Sequence, residues 1–192
     1  MSIAGLKLCA LALLAGIAVP ALAQGGAAPA STAATRDGSR DFDFEHGSWR
    51  TELRRLRSPL SGSNEWVDYQ GTSVVRPVMG GRANLVELSV EGPAGRIEGV
   101  SLRLYNPTTR QWSLNFASLR SGEMTPPVVG AFSNGRGTFI GRDTWDGRPI
   151  LVRFVISEVT ANSARFEQAF SADEGATLEV NWIAVDTRIA GR

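Results

Sequence analysis

Cysteine, lysine and histidine are each present only once in this chain of 192 residues. Lys7 and Cys9 both lie near the start, so neither residue type occurs after position 9. The rest of the chain therefore has no thiolate for a disulfide, a cysteine-based zinc site or an iron–sulfur cluster. It also has no amine for a lysine Schiff base, and one histidine is too few for a multi-histidine metal centre.

The chain also has no large excess of positive or negative charge. When Lys7 is set aside, 19 arginines balance 19 acidic residues. Binding to nucleic acid depends mainly on cationic side chains that neutralise phosphates. A chain without net positive charge is therefore predicted to have no nucleic-acid partner.

Residues 1–23 predict an export signal. A short segment with Lys7 precedes an apolar run from Leu8 to Val19, and small residues follow up to Ala23. This order is typical of a secretory signal peptide cleaved after Ala23, whereas a retained transmembrane helix needs about 20 apolar residues. We therefore expect export to the periplasm or the extracellular space, with no stable membrane insertion after cleavage.

The remaining chain divides into a leader, one domain and a short tail. Residues 24–40 are rich in Ala, Gly, Ser and Thr and lack large apolar side chains, so we expect a flexible leader. Residues 41–188 carry the apolar patterns and are long enough for one domain. Residues 189–192 form a C-terminal tail.

The domain has the pattern of antiparallel β-strands. Turn signals such as Asn134-Gly135 and Asp146-Gly147 recur along it, and alternating apolar and polar residues lie between them. This pattern predicts an all-β domain of about ten strands joined as hairpins. The simplest arrangement without free edges is a closed up-and-down barrel, and a two-layer sandwich is the alternative. A barrel of more than about eight strands leaves room for a small ligand.

The hairpin around Asn106 gives a prediction of register. If Leu104 lies opposite Trp112, the alternation produces one wholly apolar face. The pairs on that face would be Leu104–Trp112, Leu102–Leu114 and Val100–Phe116. The opposite face would carry the polar residues Ser101, Arg103, Ser113 and Asn115.

The segment Phe44-Glu-His-Gly-Ser-Trp-Arg50, together with Val185-Asp-Thr-Arg188, resembles the lipocalin and calycin signature. In that superfamily the tryptophan closes one end of the barrel and lies under the arginine. The resemblance implies that Gly47, Trp49 and Arg188 have this structural role. Stacking of a guanidinium on an indole would stabilise the closed end.

A wider resemblance covers nearly all of residues 41–188. It rests on the segments DFDFEHGSW, NPTTRQW, PPVVGAF, GTFIGRDTWDGRPI and ARFEQAFSADEGATLEVNW. They are similar to a bacterial family of unknown function with calycin-like barrels. The resemblance implies the barrel fold but no activity, because the family has none assigned. His46 stands where members of that family tend to have an apolar residue.

The segment from Ser171 to Leu178 resembles the Asp-box hairpin of sialidases and related propellers. Such propellers carry several boxes and this chain has one, so sialidase activity is set aside. The local physics predicts a structural turn, in which Asp173 accepts hydrogen bonds from nearby backbone N–H groups. Gly175 would supply the left-handed conformation.

His46 is the one side chain whose unperturbed pKa lies near neutral pH. It could bind haem or act as a general base. However, a strand would place it on the face opposite Trp49, so a surface or hydrogen-bonded structural role is the main prediction. We therefore predict no metal and no cofactor, with haem at His46 as the alternative.

Two charged clusters are interpreted as solvated surface. Alternate acidic residues on an extended chain leave the coordination of a divalent cation incomplete, which favours a solvated acidic edge at Asp41, Asp43 and Glu45. The side chains of a basic stretch alternate between the two faces of a strand, and we interpret this stretch as a solvated rim of the barrel mouth. One of its arginines could contact an anionic group of a ligand there. Its members are Arg50, Arg54, Arg55 and Arg57.

Tryptophans and polar residues within apolar strands are the candidates for a pocket lining. A tryptophan offers a flat apolar face with a polar N–H group, and a polar side chain that faces inward needs a partner, which a ligand can supply. The candidates are Trp66, Arg103, Trp112, Asn115, Trp145, Arg153, Glu167, Gln168, Asn181 and Trp182.

The main functional prediction is an exported barrel that binds a small apolar or amphipathic molecule. A cell-envelope interaction or structural module without a small ligand is an alternative. A carboxylate-based enzyme with Glu167 or Asp143 as the base is less favoured, because no combination of nucleophile, base and orienting group is visible. An outer-membrane barrel is disfavoured, because charges alternate onto most predicted faces.

Overall fold

The structure, a computed structural model, describes residues 37–189. The predicted signal peptide, most of the predicted leader and the end of the predicted tail lie outside the described residues. The strands are β1 (Gly47–Leu56), β2 (Trp66–Val78), β3 (Ala83–Gly92), β4 (Gly95–Asn106), β5 (Gln111–Ser118), β6 (Glu123–Met124), β7 (Val128–Ser133), β8 (Arg136–Trp145), β9 (Arg148–Ser157), β10 (Ser163–Ser171) and β11 (Glu179–Arg188). One-turn 3-10 helices lie at Asp43–Glu45 and Met79–Gly81. Between residues 37 and 189, no helix has the length and apolar character to cross a membrane.

Ten of these strands form one closed antiparallel ring. Their order is β4-β3-β2-β1-β11-β10-β9-β8-β7-β5, and the pairing of β4 with β5 closes the ring. The two-residue β6 lies beside β5. The predicted barrel is confirmed and the sandwich alternative is not, because one continuous ladder of backbone hydrogen bonds runs around the whole sheet.

The alternation in the sequence decides which side chains face the barrel interior. On β1 the side chains of Trp49, Thr51 and Leu53 are buried, whereas Arg50 and Glu52 between them are exposed. Successive side chains on a strand point to opposite faces of the sheet. Most strands of the ring have one apolar face, and burying that face forms the core.

The hairpin of β4 and β5 has a different register from the predicted one. The pairs on its inner face are Tyr105–Trp112, Arg103–Leu114 and Ser101–Phe116. The predicted pairing of Leu104 with Trp112 is wrong by one residue, as are the two pairs predicted with it. A slip of one residue exchanges the faces of a strand. Arg103 therefore lies inside, and Leu104, which is 45% exposed, lies outside.

Residues 38–46 close one end of the barrel, and we call this segment the plug. The Phe42 side chain is fully buried, with its ring 4.9 Å from that of Trp112. Two indole N–H groups bind the plug backbone: Trp112 donates to the Gly38 carbonyl at 2.8 Å, and Trp49 donates to the Glu45 carbonyl at 2.6 Å. The plug is thus hydrogen-bonded to strands β1 and β5.

Arg188 completes the closed end. Its guanidinium lies 4.1 Å from the centre of the Trp49 ring and donates to the carbonyls of His46 and Phe44 at 2.8 and 2.5 Å. Gly47, which joins the plug to β1, has a φ of +123°, and a Cβ there would lie 2.9 Å from Arg188 Nη1. Both observations explain a glycine at this position. The arrangement is the one that the calycin resemblance implied for Gly47, Trp49 and Arg188.

Candidate functional site

A cavity of about 820 Å³ lies inside the barrel. At the plug end it is lined by buried residues such as Glu45 and Arg103, and at the opposite end by exposed residues such as Met124 and Thr144. We call these two ends the floor and the mouth. The volume lies within the range of small-molecule binding sites.

Glu45 and Arg103 form a buried ion pair at the floor. Arg103 Nη2 donates to Glu45 Oε1 at 2.9 Å, and Nη1 contacts the other carboxylate oxygen. The guanidinium also lies 4.5 Å from the centre of the Phe42 ring. Burial lowers the pKa of Arg103 to about 9, and the charge of Asp186 opposes this effect. Arg103 therefore remains a cation at neutral pH.

Asp186 on β11 is a second carboxylate at the floor, and it is 4% exposed. Thr51 lies opposite it on β1, and the hydroxyls of Thr51 and Ser73 are 2.7 Å apart. Burial raises the pKa of Asp186 to about 6, while a hydrogen bond with Thr51 and the charge of Arg103 lower it. Among the residues described, none makes a hydrogen bond to Asp186 Oδ1.

The wall between floor and mouth is mainly apolar. Strands from all around the ring contribute to it, because each one presents alternate apolar residues to the interior. Its larger members are Leu88, Ile97, Phe116, Phe154, Phe166 and Trp182. The cavity therefore combines a charged floor with an apolar wall.

The mouth is lined by polar and aromatic side chains. Arg142 on β8 makes two hydrogen bonds, of 2.8 and 2.5 Å, to the carboxylate of Glu174 in the loop between β10 and β11. Gln168 Nε2 donates to Asn181 Oδ1 at 3.0 Å, beside an irregularity in the pairing of β10 with β11. Arg55, from the predicted basic rim, also lines the cavity.

Six of the ten predicted pocket residues line this cavity. Arg103 lies at the floor, and the other five lie on the wall or at the mouth. The six are Arg103, Asn115, Trp145, Gln168, Asn181 and Trp182.

The other four predicted pocket residues do not line the cavity, and the prediction is corrected for each. Trp66 lies on the outer face, where the Arg54 guanidinium is 5.5 Å from its ring. Arg153 and Glu167 also lie on the outer face, paired at 3.8 Å. Trp112 faces inward, but its ring is buried under the plug.

The polar floor was missed except for Arg103. Thr51 and Ser73 are hydroxyl residues that sequence reasoning did not single out, and neither was Asp186. A usable signal was present for two of them: Thr51 lies two residues after the inward Trp49, and Asp186 lies two residues before the inward Arg188. Counting in steps of two along a strand keeps the same face.

Glu45 was predicted to belong to a solvated acidic edge, and this is wrong. Its side chain is 2% exposed because the 3-10 turn of the plug directs it to Arg103. Asp43 does remain at the surface, where it pairs with Arg40 at 2.6 Å. Within residues 37–189, no group of three or more acidic, histidine or cysteine side chains could hold a metal ion.

His46 has a structural hydrogen bond and lies outside the cavity lining. Its Nε2 is 2.9 Å from Oδ1 of the buried Asn84 on β3. The two carboxylates considered for catalysis are separated by the barrel wall, because Asp143 lines the mouth and Glu167 lies outside. Of these two alternative bases, Asp143 is therefore the one that a ligand in the cavity could contact.

The turn after β10 has the hydrogen bonds predicted for it. Asp173 Oδ1 accepts from the Thr177 backbone N–H at 2.8 Å, and Oδ2 accepts from the Thr177 hydroxyl. These bonds, with one from Ser171, lower the pKa of Asp173 to about 2. Gly175 has a φ of +95°. This segment stabilises a turn at the surface.

Comparison with known proteins supports the fold. The S-type phycobiliprotein lyase from Guillardia theta is similar in structure, with 12% identity over 82% of this chain and 95% of that chain and a TM-score of 0.55. A de novo designed fluorescence-activating β-barrel has 10% identity over 81% of this chain and 100% of that one. A redesigned β-barrel bound to the small molecule DFHBI has 12% identity over 76% and 99%. The TM-scores of these two are only 0.43 and 0.44, so the likeness to the lyase is the one that supports the fold.

The chain therefore forms a closed antiparallel barrel of ten strands with an internal cavity. No family model matches it, and no curated protein does. Membership of the bacterial family named above stays a prediction. At these identities the structural likeness shows the fold and does not extend to function.

Proposed function

We propose that this protein is an exported binding protein that holds a small amphipathic molecule inside its barrel. The observation that carries the proposal is the cavity of about 820 Å³, which has an apolar wall and a charged floor. A barrel that served only as a scaffold would gain stability by filling this volume with side chains, because empty space forfeits dispersion contacts.

The floor and wall together favour an amphipathic ligand over a purely apolar one. Buried polar groups without partners are costly, on the order of 1–3 kcal/mol each. Asp186 Oδ1 and Asn181 Nδ2 are two such atoms at the cavity. A bound molecule that carries polar groups would satisfy atoms of this kind while its apolar part covers the wall.

Export is part of the proposal and rests on the sequence of residues 1–23. Cleavage after Ala23 would leave Gln24 as the first residue of the mature protein. N-terminal sequencing of the protein from culture medium and periplasmic extract tests this. An intact N-terminus on protein found in the cytoplasm would contradict it.

Native mass spectrometry of the protein purified from its own host tests ligand binding directly, and a retained small molecule is expected. Binding of the uncharged dye Nile red gives a second measurement. Ser101→Phe should reduce dye binding, because Ser101 lines the cavity and the added ring would occupy it. Ser48→Phe makes the same change on the outer face of β1 and should leave binding unchanged.

If Ser101→Phe and Ser48→Phe bound Nile red with the same affinity, the dye would occupy a surface other than the cavity. The absence of both a retained mass and saturable dye binding would reject the proposed function. It would favour a cell-envelope module that contacts another macromolecule through the outside of its barrel.

A further inference from the structure

The charges at the floor of the cavity do not balance. Glu45 and Arg103 neutralise each other in their ion pair, which leaves the Asp186 carboxylate as excess negative charge. Asp186 is 4% exposed, and its Oδ1 lacks a hydrogen-bond partner among the described residues. A buried charge without a partner is strongly unfavourable unless a counter-charge is supplied.

The groups that surround Asp186 compensate its negative charge only in part, because the cation that acts on it, Arg103, is shared with Glu45. Thr51 on β1 and Ala164 on β10 lie opposite it in the two adjacent strands. Arg103 acts on it through its charge, but its guanidinium is already paired with Glu45. Thr51 offers one hydroxyl, which is also 2.7 Å from the hydroxyl of Ser73. The space in front of Asp186 is the cavity itself.

We infer that the ligand of this cavity is an amphipathic amine, with its protonated nitrogen at Asp186 and its apolar part along the wall. The inference rests on the proposed function, since it names the chemical class that the same cavity would take. An ammonium group supplies both a positive charge and N–H donors, and Asp186 needs both. Charge-assisted hydrogen bonds of this kind are the stronger ones in proteins.

An anionic ligand fits the same floor poorly. A carboxylate placed there would approach the carboxylates of Glu45 and Asp186, and the Arg103 guanidinium is held by Glu45 and lies against the Phe42 ring. The other arginines of the cavity lie near the mouth, and Arg142 there is paired with Glu174. The arrangement of charges at the floor therefore favours a protonated amine over a carboxylate as the polar group of the ligand.

Four probes with the same ten-carbon chain test the inference by isothermal titration calorimetry near pH 7.5, where both the amine and Asp186 are charged. They are decylamine, decyltrimethylammonium, decanol and decanoate. Decylamine should bind about tenfold or more tightly than decanol, and decanoate should bind most weakly. Decyltrimethylammonium has the charge without an N–H donor and should fall between decylamine and decanol.

The variant Asp186→Asn keeps the shape of the side chain and removes its charge. It should bring the affinity for decylamine down to that for decanol while leaving the affinity for decanol unchanged. Asp68→Asn is the matched control, because it removes an exposed carboxylate on the outer face of β2, outside the cavity lining. This control should retain the preference for the amine. Thermal melts establish that both variants are folded.

The outcomes separate this inference from the proposed function on which it rests. Tightest binding of decanoate, or an amine preference that survives in Asp186→Asn, would overturn the inference while ligand binding itself stands. Equal affinity for decylamine and decanol would also overturn it. Failure of all four probes to bind would count against the proposed function as well.

Discussion

Arg103 on β4 donates a hydrogen bond of 2.9 Å to Glu45 in the plug, and both side chains are almost completely buried. This contact joins the plug, which closes one end of the barrel, to strand β4. It also places a charged floor under the cavity. The plug and the candidate binding site therefore depend on the same pair of residues.

Removing either partner of this pair should destabilise the protein, and by unequal amounts. Arg103→Met leaves Glu45 and Asp186 as two buried carboxylates without a cation, so we expect a loss of about 3–5 kcal/mol in the free energy of unfolding. Glu45→Gln leaves Arg103 balanced by Asp186, so the loss should be smaller. Urea denaturation near pH 7.5 measures both variants.

Arg76→Met is the matched control for Arg103→Met. Arg76 on the outer face of β2 pairs with Glu87, and both are largely exposed. An exposed ion pair contributes about 0–1 kcal/mol, so this variant should unfold close to wild type. Equal losses for the two methionine variants would contradict the role assigned to the buried pair.

Replacing Arg188 by lysine should loosen the plug although the charge is kept. The guanidinium of Arg188 donates to two plug carbonyls while it lies on the Trp49 ring. A lysine ammonium cannot reproduce this planar arrangement of donors, so we expect a loss of about 1–3 kcal/mol. Urea denaturation followed by tryptophan fluorescence gives the loss. A red shift of the tryptophan emission is also expected, because a loosened plug exposes Trp49 to water. An unchanged spectrum together with unchanged stability would contradict the prediction.

The stability of the ligand-free protein should depend on pH through Asp186. Its pKa is about 6 in the folded protein and 3.8 ordinarily, so the folded state holds the proton more tightly. The stabilisation from this group is therefore fully present below about pH 4 and is lost as the pH rises through 6. The total change is about 3 kcal/mol.

Asp186→Asn isolates this contribution. The difference in the free energy of unfolding between the variant and wild type, measured by urea denaturation from about pH 4 to 8, should shift in favour of the variant as the pH rises. Other titrating groups cancel in this difference. A difference that stays constant over the range would show that burial does not perturb Asp186.

The barrel could be predicted from the sequence because its strongest signals are local. Alternation along single strands and turn residues between them define the strands, and each needs only a few neighbouring residues. The closed end could be predicted as well, since Trp49 and Arg188 lie in recognisable segments at the two ends of the domain. The barrel fold that the bacterial family resemblance implied is confirmed, whereas membership of that family stays a prediction.

The candidate site could be predicted only in part, because its composition depends on register. The turn after Asn106 holds four residues before Gln111, which places Tyr105 opposite Trp112. The predicted register placed Leu104 opposite Trp112 instead. This error placed Arg103 on the face opposite to that of Trp112, although Arg103 is among the predicted pocket residues. Glu45 was missed for another reason: its burial depends on a plug contact with Arg103, 58 positions along the chain.

Gly137→Ala should destabilise the closed end without changing the ligand preference of the cavity. Gly137 on β8 faces inward, and a Cβ there would lie 2.8 Å from the Phe139 ring and 2.9 Å from the Phe132 ring. Both rings pack against Phe42, with centroids 6.0 and 5.3 Å away, so they have little room to move. Overpacking of this kind costs about 1–3 kcal/mol.

Urea denaturation measures the loss in Gly137→Ala, and Thr138→Ala on the exposed outer face is its control. Calorimetry with decylamine and decanol then tests the second half of the prediction. Gly137 is not among the residues that line the cavity, so the ratio of the two affinities should match that of wild type. A changed ratio would mean that the packing under the plug also determines the position of the charged floor, and that the two parts of the barrel are coupled.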